Sequence, residues 1–162
     1  MKDLLLSYVK YNLWANQRVC NFLKNNLSEE QFEKEIISSF PSIKKTLLHI
    51  WDAQFLWLKR LEGISLTSFP SKDFKGTFND AIDGLLKTSQ QMIDVIDNSN
   101  EEKLAALLTY KSVAGDQYEN TTVDILLHVS NHGTFHRGQV ITMLRQLGFT
   151  KLFPTDYIAF FR

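Results

Sequence analysis

Four long stretches of this chain carry apolar side chains at the three- and four-residue steps of an amphipathic helix, and the prolines fall in the breaks between and after them. The first, Asp3 to Asn25, sets Leu6, Val9, Leu13, Val19, Phe22 and Leu23 on or near one stripe and contains neither proline nor glycine. Ser28 with Gln31 three residues on reads as a capping box opening a short helix. After the break SSFPS, Ser42 caps a second long helix that runs to Gly63. GISLTSFPSKDFKG is a loop, and Thr77 with Asp80 opens a third long helix to about Asn98. Ser99 with Glu102 starts another short helix, and LTYKSVAGDQYENT alternates around Gly115-Asp116 as a small β-hairpin would. Thr121 or Thr122 caps the last long helix, which stops at Gly148. The apolar tail LFPTDYIAFFR has to pack on this chain or on a second copy. The expected fold is all-α: an antiparallel four-helix bundle with short connections, short extra helices and a hairpin before the last long helix, residues 1–162 forming one domain.

Charge and composition narrow the function. Lys and Arg number 18, as do Asp and Glu, so the formal net charge is zero. A neutral chain without basic runs lacks the electrostatic footprint of a nucleic-acid binder. The single cysteine, Cys20, excludes an internal disulfide and suits a reducing compartment. Tyr8, Lys10, Tyr11 and Asn12 interrupt the N-terminal apolar run before it reaches signal-peptide length, and nothing approaches the roughly 20 apolar residues of a membrane span. The expectation is a cytoplasmic protein without membrane or nucleic-acid partners.

The chemistry sits in NHGTFHRGQ, residues 131–139. The inward stripe of the last helix reads Ile125, Val129, His132, His136, Val140, Met143, Leu147, so two histidines occupy core positions, while His128 falls about a quarter turn off it at 100° per residue. Gly133 sits beside the pair; a mid-helix glycine costs about 1 kcal/mol against alanine, which points to something approaching the backbone there. Histidines four apart either hydrogen-bond within a core or chelate one ion. The glutamate of a zinc-peptidase H-E-x-x-H is replaced by Gly133, which removes that activity. His128, His132 and His136 cannot share an ion, because the outer two lie about 12 Å apart along the axis. A third ligand must come from another helix, and the only other histidine is His49, in the second long helix. Helical phase does not decide whether His49 faces inward.

The chain resembles the DinB/YfiT-like superfamily of metal-binding four-helix bundles. The resemblance is carried by YVKYNLWANQRV in the first helix, SFPSIKKTLLHIWDAQFLWL around His49, the hairpin near Gly115, and LLHVSNHGTFHRGQV around His132 and His136. It implies a three-histidine site of His49, His132 and His136 holding a divalent metal ion, Zn²⁺ or Ni²⁺, with His128 outside the ligand set. Three imidazoles with open positions are the layout of a catalytic site. The resemblance implies a transferase that activates a low-molecular-weight thiol as its small-molecule substrate. A metal-dependent hydrolase, or a non-catalytic metal-binding protein, fits the same ligands. A homodimer is expected from the apolar tail and from relatives.

Neighbouring residues carry paired expectations. Asp52 either accepts from a ligand imidazole or is a solvated surface carboxylate. Asn131 and Gln139 flank the ligands and can orient them. Arg137 either attracts an anionic substrate or, the favoured reading, pairs with a surface acid. Trp14, Trp51, Trp57 and Tyr11 wall a pocket or fill core, and Cys20 is a buried small residue.

Overall fold

A computed structural model describes residues 1–162. Six helices and one hairpin follow in order: α1 (Lys2–Asn26), α2 (Glu29–Glu33), α3 (Ile43–Leu61), α4 (Phe78–Asp97), α5 (Glu101–Ala105), β1 (Leu107–Lys111), β2 (Gln117–Thr121) and α6 (Thr122–Gln146). The helix starts follow from side chains that satisfy the first free N–H groups. Ser28, Thr77 and Thr121 each form a reciprocal capping box, with Gln31, Asp80 and Asp124. Ser42 caps α3 through the Lys45 N–H. Asn100, not Ser99, caps α5; the Ser99 hydroxyl turns back to the Val95 carbonyl. The loop after α3 contains a 3-10 turn, Pro70–Asp73, which the sequence pattern did not reveal. The strands pair in antiparallel register, Tyr110 opposite Tyr118. No helix is long and apolar enough to cross a membrane.

The four long helices form the expected bundle, in which α1 and α3 each contact both α4 and α6. Its winding follows from the contacts. Lys24 pairs with Asp83 and Lys2 with the Asp97 carbonyl, so α1 and α4 run antiparallel. Thr46 meets Met143 and Trp57 meets His128, so α3 and α6 do too. Trp51 bonds Thr88 and Gln54 bonds Ser89, which makes α3 and α4 parallel. Parallel neighbours need a crossover as long as a helix, about 28 Å for 19 residues. The connection from α3 to α4 is therefore not short. It runs back along the bundle as a strap, and this brings Phe69 and Ser71 over α3 near His49.

The core has two apolar halves. One gathers Val19, Leu23, Ile43, Leu47, Ile82 and Met143, the other Val9, Leu58, Met92, Ile96, Ile125 and Val129. Between them lies a buried polar layer supplied by all four long helices. Arg137 donates to Asn12 (2.6 Å) and Asn16 (2.8 Å), Asn16 donates to Ser89 (3.0 Å), and Ser89 lies 2.7 Å from Gln54 Oε1. The C-terminal tail packs on its own chain: Tyr157 sits edge-on to Tyr8 and Tyr11, Phe160 rests on Trp14, and Tyr11 donates to the Thr155 carbonyl.

Candidate metal centre

His49 from α3 and His132 and His136 from α6 converge at the level of the polar layer, with one ring nitrogen from each lying within 4.8 Å of the others. His132 Nε2 is 3.0 Å from His49 Nε2. The side chain of Gln139 accepts from His136 Nδ1 at 2.8 Å, which leaves His136 Nε2 with its lone pair free. The same amide donates to Ser39 Oγ (3.0 Å) and so ties α6 to the segment carrying Phe40, whose ring stacks on His49 at 4.1 Å.

Electrostatics set the protonation state. Burial first, then the neighbouring His136, pushes His49 down to about 4. Burial, followed by His136, His49 and His128, pushes His132 down to about 3. Both rings are neutral at pH 7, the form that binds a metal. His132 Nδ1 is buried without a hydrogen-bond partner, an orphaned polar atom inside the cluster. Two nitrogens each about 2.1 Å from one ion sit at most roughly 4.2 Å apart. Three ligands around one ion sit closer still, at about 3.4–3.6 Å, so the observed spread closes with ring movements of about an ångström in all, and the donor set suits Zn²⁺, Ni²⁺ and similar divalent ions. These three residues can hold a metal ion.

The cluster has an open side. A cavity of about 420 Å³ is lined by Phe40, Lys45, Leu48, His49, Asp52, Phe69 and Ser71. Asp52 behaves as neither expectation had it. It is buried, and its two oxygens accept from the backbone N–H of Ser71 (2.9 Å) and from the Ser71 hydroxyl, pinning the strap to α3. Burial raises its pKa against the pull of those bonds.

Arg137 also corrects the sequence reading. It is 1% exposed, meets no carboxylate, and spends its Nη groups on Asn12, Asn16 and Thr134 beneath the Tyr11 ring, with Nε left unpartnered. Gly133 is explained by the same contact: a Cβ there would lie 2.7 Å from Asn12 Oδ1 and 2.8 Å from Arg137 Nη1. His128 stays outside the cluster, exposed against Trp57, and Asn131 is exposed. Trp51 donates to Thr88, Trp14 carries the tail, and Trp57 stacks under Arg60, so none of the tryptophans lines the cavity beside His49. Cys20 is fully buried, and burial pushes its thiol up to about 12, which makes it inert.

The sequence pattern that defines the DinB family matches residues 1–161, end to end across all three histidines. The chain belongs to the DinB family. Protein DinB of Bacillus subtilis (strain 168) is 32% identical to it over 164 aligned positions, 97% of this chain and 93% of that protein. Among solved structures, a DinB-like protein of B. subtilis, YjoA, superposes with a TM-score of 0.67 at 16% identity, covering 92% of this chain and 96% of that one. A protein from Exiguobacterium sibiricum described as a DinB family member gives 0.65 at 17%, covering 96% and 97%. These structures carry the DinB-like fold. Within the fold, sequence reasoning missed Phe40 and the strap. SSFPS read only as a break, although Phe40, two residues before the Ser42 cap, folds back onto His49 in the second turn of α3.

Proposed function

We propose that His49, His132 and His136 bind one divalent ion, Zn²⁺ or Ni²⁺, and that the protein is a transferase acting on a low-molecular-weight thiol. The observation that carries this reading is the convergence of three imidazole nitrogens, with His49 standing in the wall of an open cavity. When bound, such an ion is a Lewis acid that draws the proton from a coordinating thiol near neutral pH. Around it, His49 and His132 offer unprotonated nitrogens, and Gln139 fixes the tautomer of His136. Phe40, Leu48 and Phe69 give the substrate an apolar wall, and the Asp52–Ser71 contact keeps the strap in place beside it. Lys45 at the rim attracts anionic substrates. A reducing, cytoplasmic setting fits the single buried cysteine. Leu4, Leu127, Ile158 and Phe161 leave an apolar face open, which supports a homodimer.

The test is loss of free thiol in the presence of a soluble electrophile, with the Zn²⁺- or Ni²⁺-loaded protein. Consumption above the uncatalysed rate, abolished by His49→Ala, is the expected result. A rate equal to the uncatalysed one with every thiol offered would overturn the transferase reading. Ester cleavage in its place would assign the hydrolase.

A further inference from the structure

A second cavity, of about 460 Å³, lies on the same face of the bundle, between the C-terminal half of α3, the start of α6 and the hairpin. Trp57, Tyr110, Asn120 and His128 are among its walls. Beside it lies Arg60, only 6% exposed, with its guanidinium 4.4 Å from the Trp57 ring centre and 4.7 Å from that of Tyr110. No acceptor bonds its buried Nε, and it takes part in none of the chain's ion pairs. Buried guanidinium groups are ordinarily paired. The aromatic faces and the carbonyl end of α3 account for a cation being held here. They leave its buried Nε–H without an acceptor, while its two Nη groups reach solvent unpaired within the chain.

The surroundings are rich in donors. The Tyr110 hydroxyl donates to Asn120 Oδ1 (2.7 Å), which frees the Asn120 amide as a donor. The one carboxylate in the wall, Asp124, is held at the helix start by the Thr121 hydroxyl (2.6 Å). Arg60 is close enough to His128 for its charge to add to burial in lowering that pKa.

We propose that this cavity is an oxyanion subsite in which Arg60 pairs with a carboxylate or phosphate group of a small ligand, flanked by Asn120 and His128. The His128 ring stands 5.9 Å from that of His132, one helical turn away, so the subsite adjoins the histidine cluster. A ligand anchored at Arg60 extends toward His132. That role as the anionic end of the substrate rests on the metal-centre reading; the anion site itself does not.

The test follows the Trp57 indole N–H by ¹H–¹⁵N NMR in the full chain, titrated separately with inorganic phosphate and with malonate at constant ionic strength. A saturable shift with one of them is expected, and the better binder identifies the group. Arg60→Gln should weaken it by about tenfold or more, the loss of a charge-assisted hydrogen bond. Asn120→Asp should do the same on an exposed residue, keeping the acceptor for Tyr110 while replacing the donor, so the test survives if Arg60→Gln fails to fold. Lys24→Gln, on the α1–α4 side of the bundle, should change nothing. Non-saturating shifts with both anions, or unchanged affinity in Asn120→Asp, would overturn the proposal. The readout needs neither metal nor turnover, so failure of the transferase reading leaves this result standing.

Discussion

Two glycines five residues apart in α6 should respond to the same substitution with opposite signs. Alanine is favoured over glycine in a helix interior by about 1 kcal/mol. At Gly138, which is exposed with nothing within 4 Å of a built Cβ, that gain should appear in full. At Gly133 the new methyl would lie 2.7 Å from Asn12 Oδ1 and 2.8 Å from Arg137 Nη1. Both atoms end flexible side chains, but they are the two ends of one 2.6 Å hydrogen bond, buried on both sides. Moving them apart forfeits a charge-assisted bond worth roughly 1.5–3 kcal/mol. The net for Gly133→Ala is a destabilisation of about 1 kcal/mol, or a Tm lowered by about 2–4 °C in a chain of this size, whereas Gly138→Ala should raise Tm by a similar amount. Thermal unfolding by circular dichroism checks both. In an Asn12→Ala background Gly133→Ala should cost less, because its clash partner is gone. A Gly133→Ala protein as stable as Gly138→Ala would refute the reasoning, showing that the Arg137 layer yields freely.

Other expectations follow from the site. Gln139→Ala, which frees the His136 tautomer and releases Ser39, should weaken metal affinity by about 10- to 100-fold, read by competition with a chromophoric chelator. The metal-free protein should lose stability as pH falls from 6.5 towards 4. The unfolded histidines take up protons near 6.5, whereas native His49 and His132 do so only at about 4 and about 3, so the unfolded state binds more protons across that window. Urea midpoints at pH 7.5 and 4.5 in a chelator test this, and His132→Leu should flatten the difference. Asp52→Ala strips the acceptors from Ser71 and should free the strap, detected as faster backbone hydrogen exchange at Ser71 with metal content unchanged.

The helices were legible because their caps are local chemistry: Ser28, Ser42, Thr77 and Thr121 act on backbone groups within three residues. The α5 cap slipped by one because Ser99 and Asn100 are both competent, and the Val95 carbonyl claims the serine. His132 and His136 were readable from one helix's phase. His49 was not, since its inward direction depends on how α3 is rolled against α6. The winding of the bundle was hidden for the same reason, and with it the strap that engages Asp52. Arg137 read as a surface residue because side chains that solvate a buried guanidinium come from α1, more than a hundred residues away in sequence. Gly133 was the one local sign of that layer: its missing side chain marks where Asn12 and Arg137 meet.

The central claim is that three histidines from two helices share one ion. Elemental mass spectrometry on the untagged protein, on His49→Ala and on His136→Ala tests it most directly. The account predicts close to one divalent ion per wild-type chain, lost in both variants although each removes a ligand from a different helix. Wild-type protein that stays metal-free after Zn²⁺ and Ni²⁺ are offered, or a His49→Ala protein that still holds its ion, would contradict it.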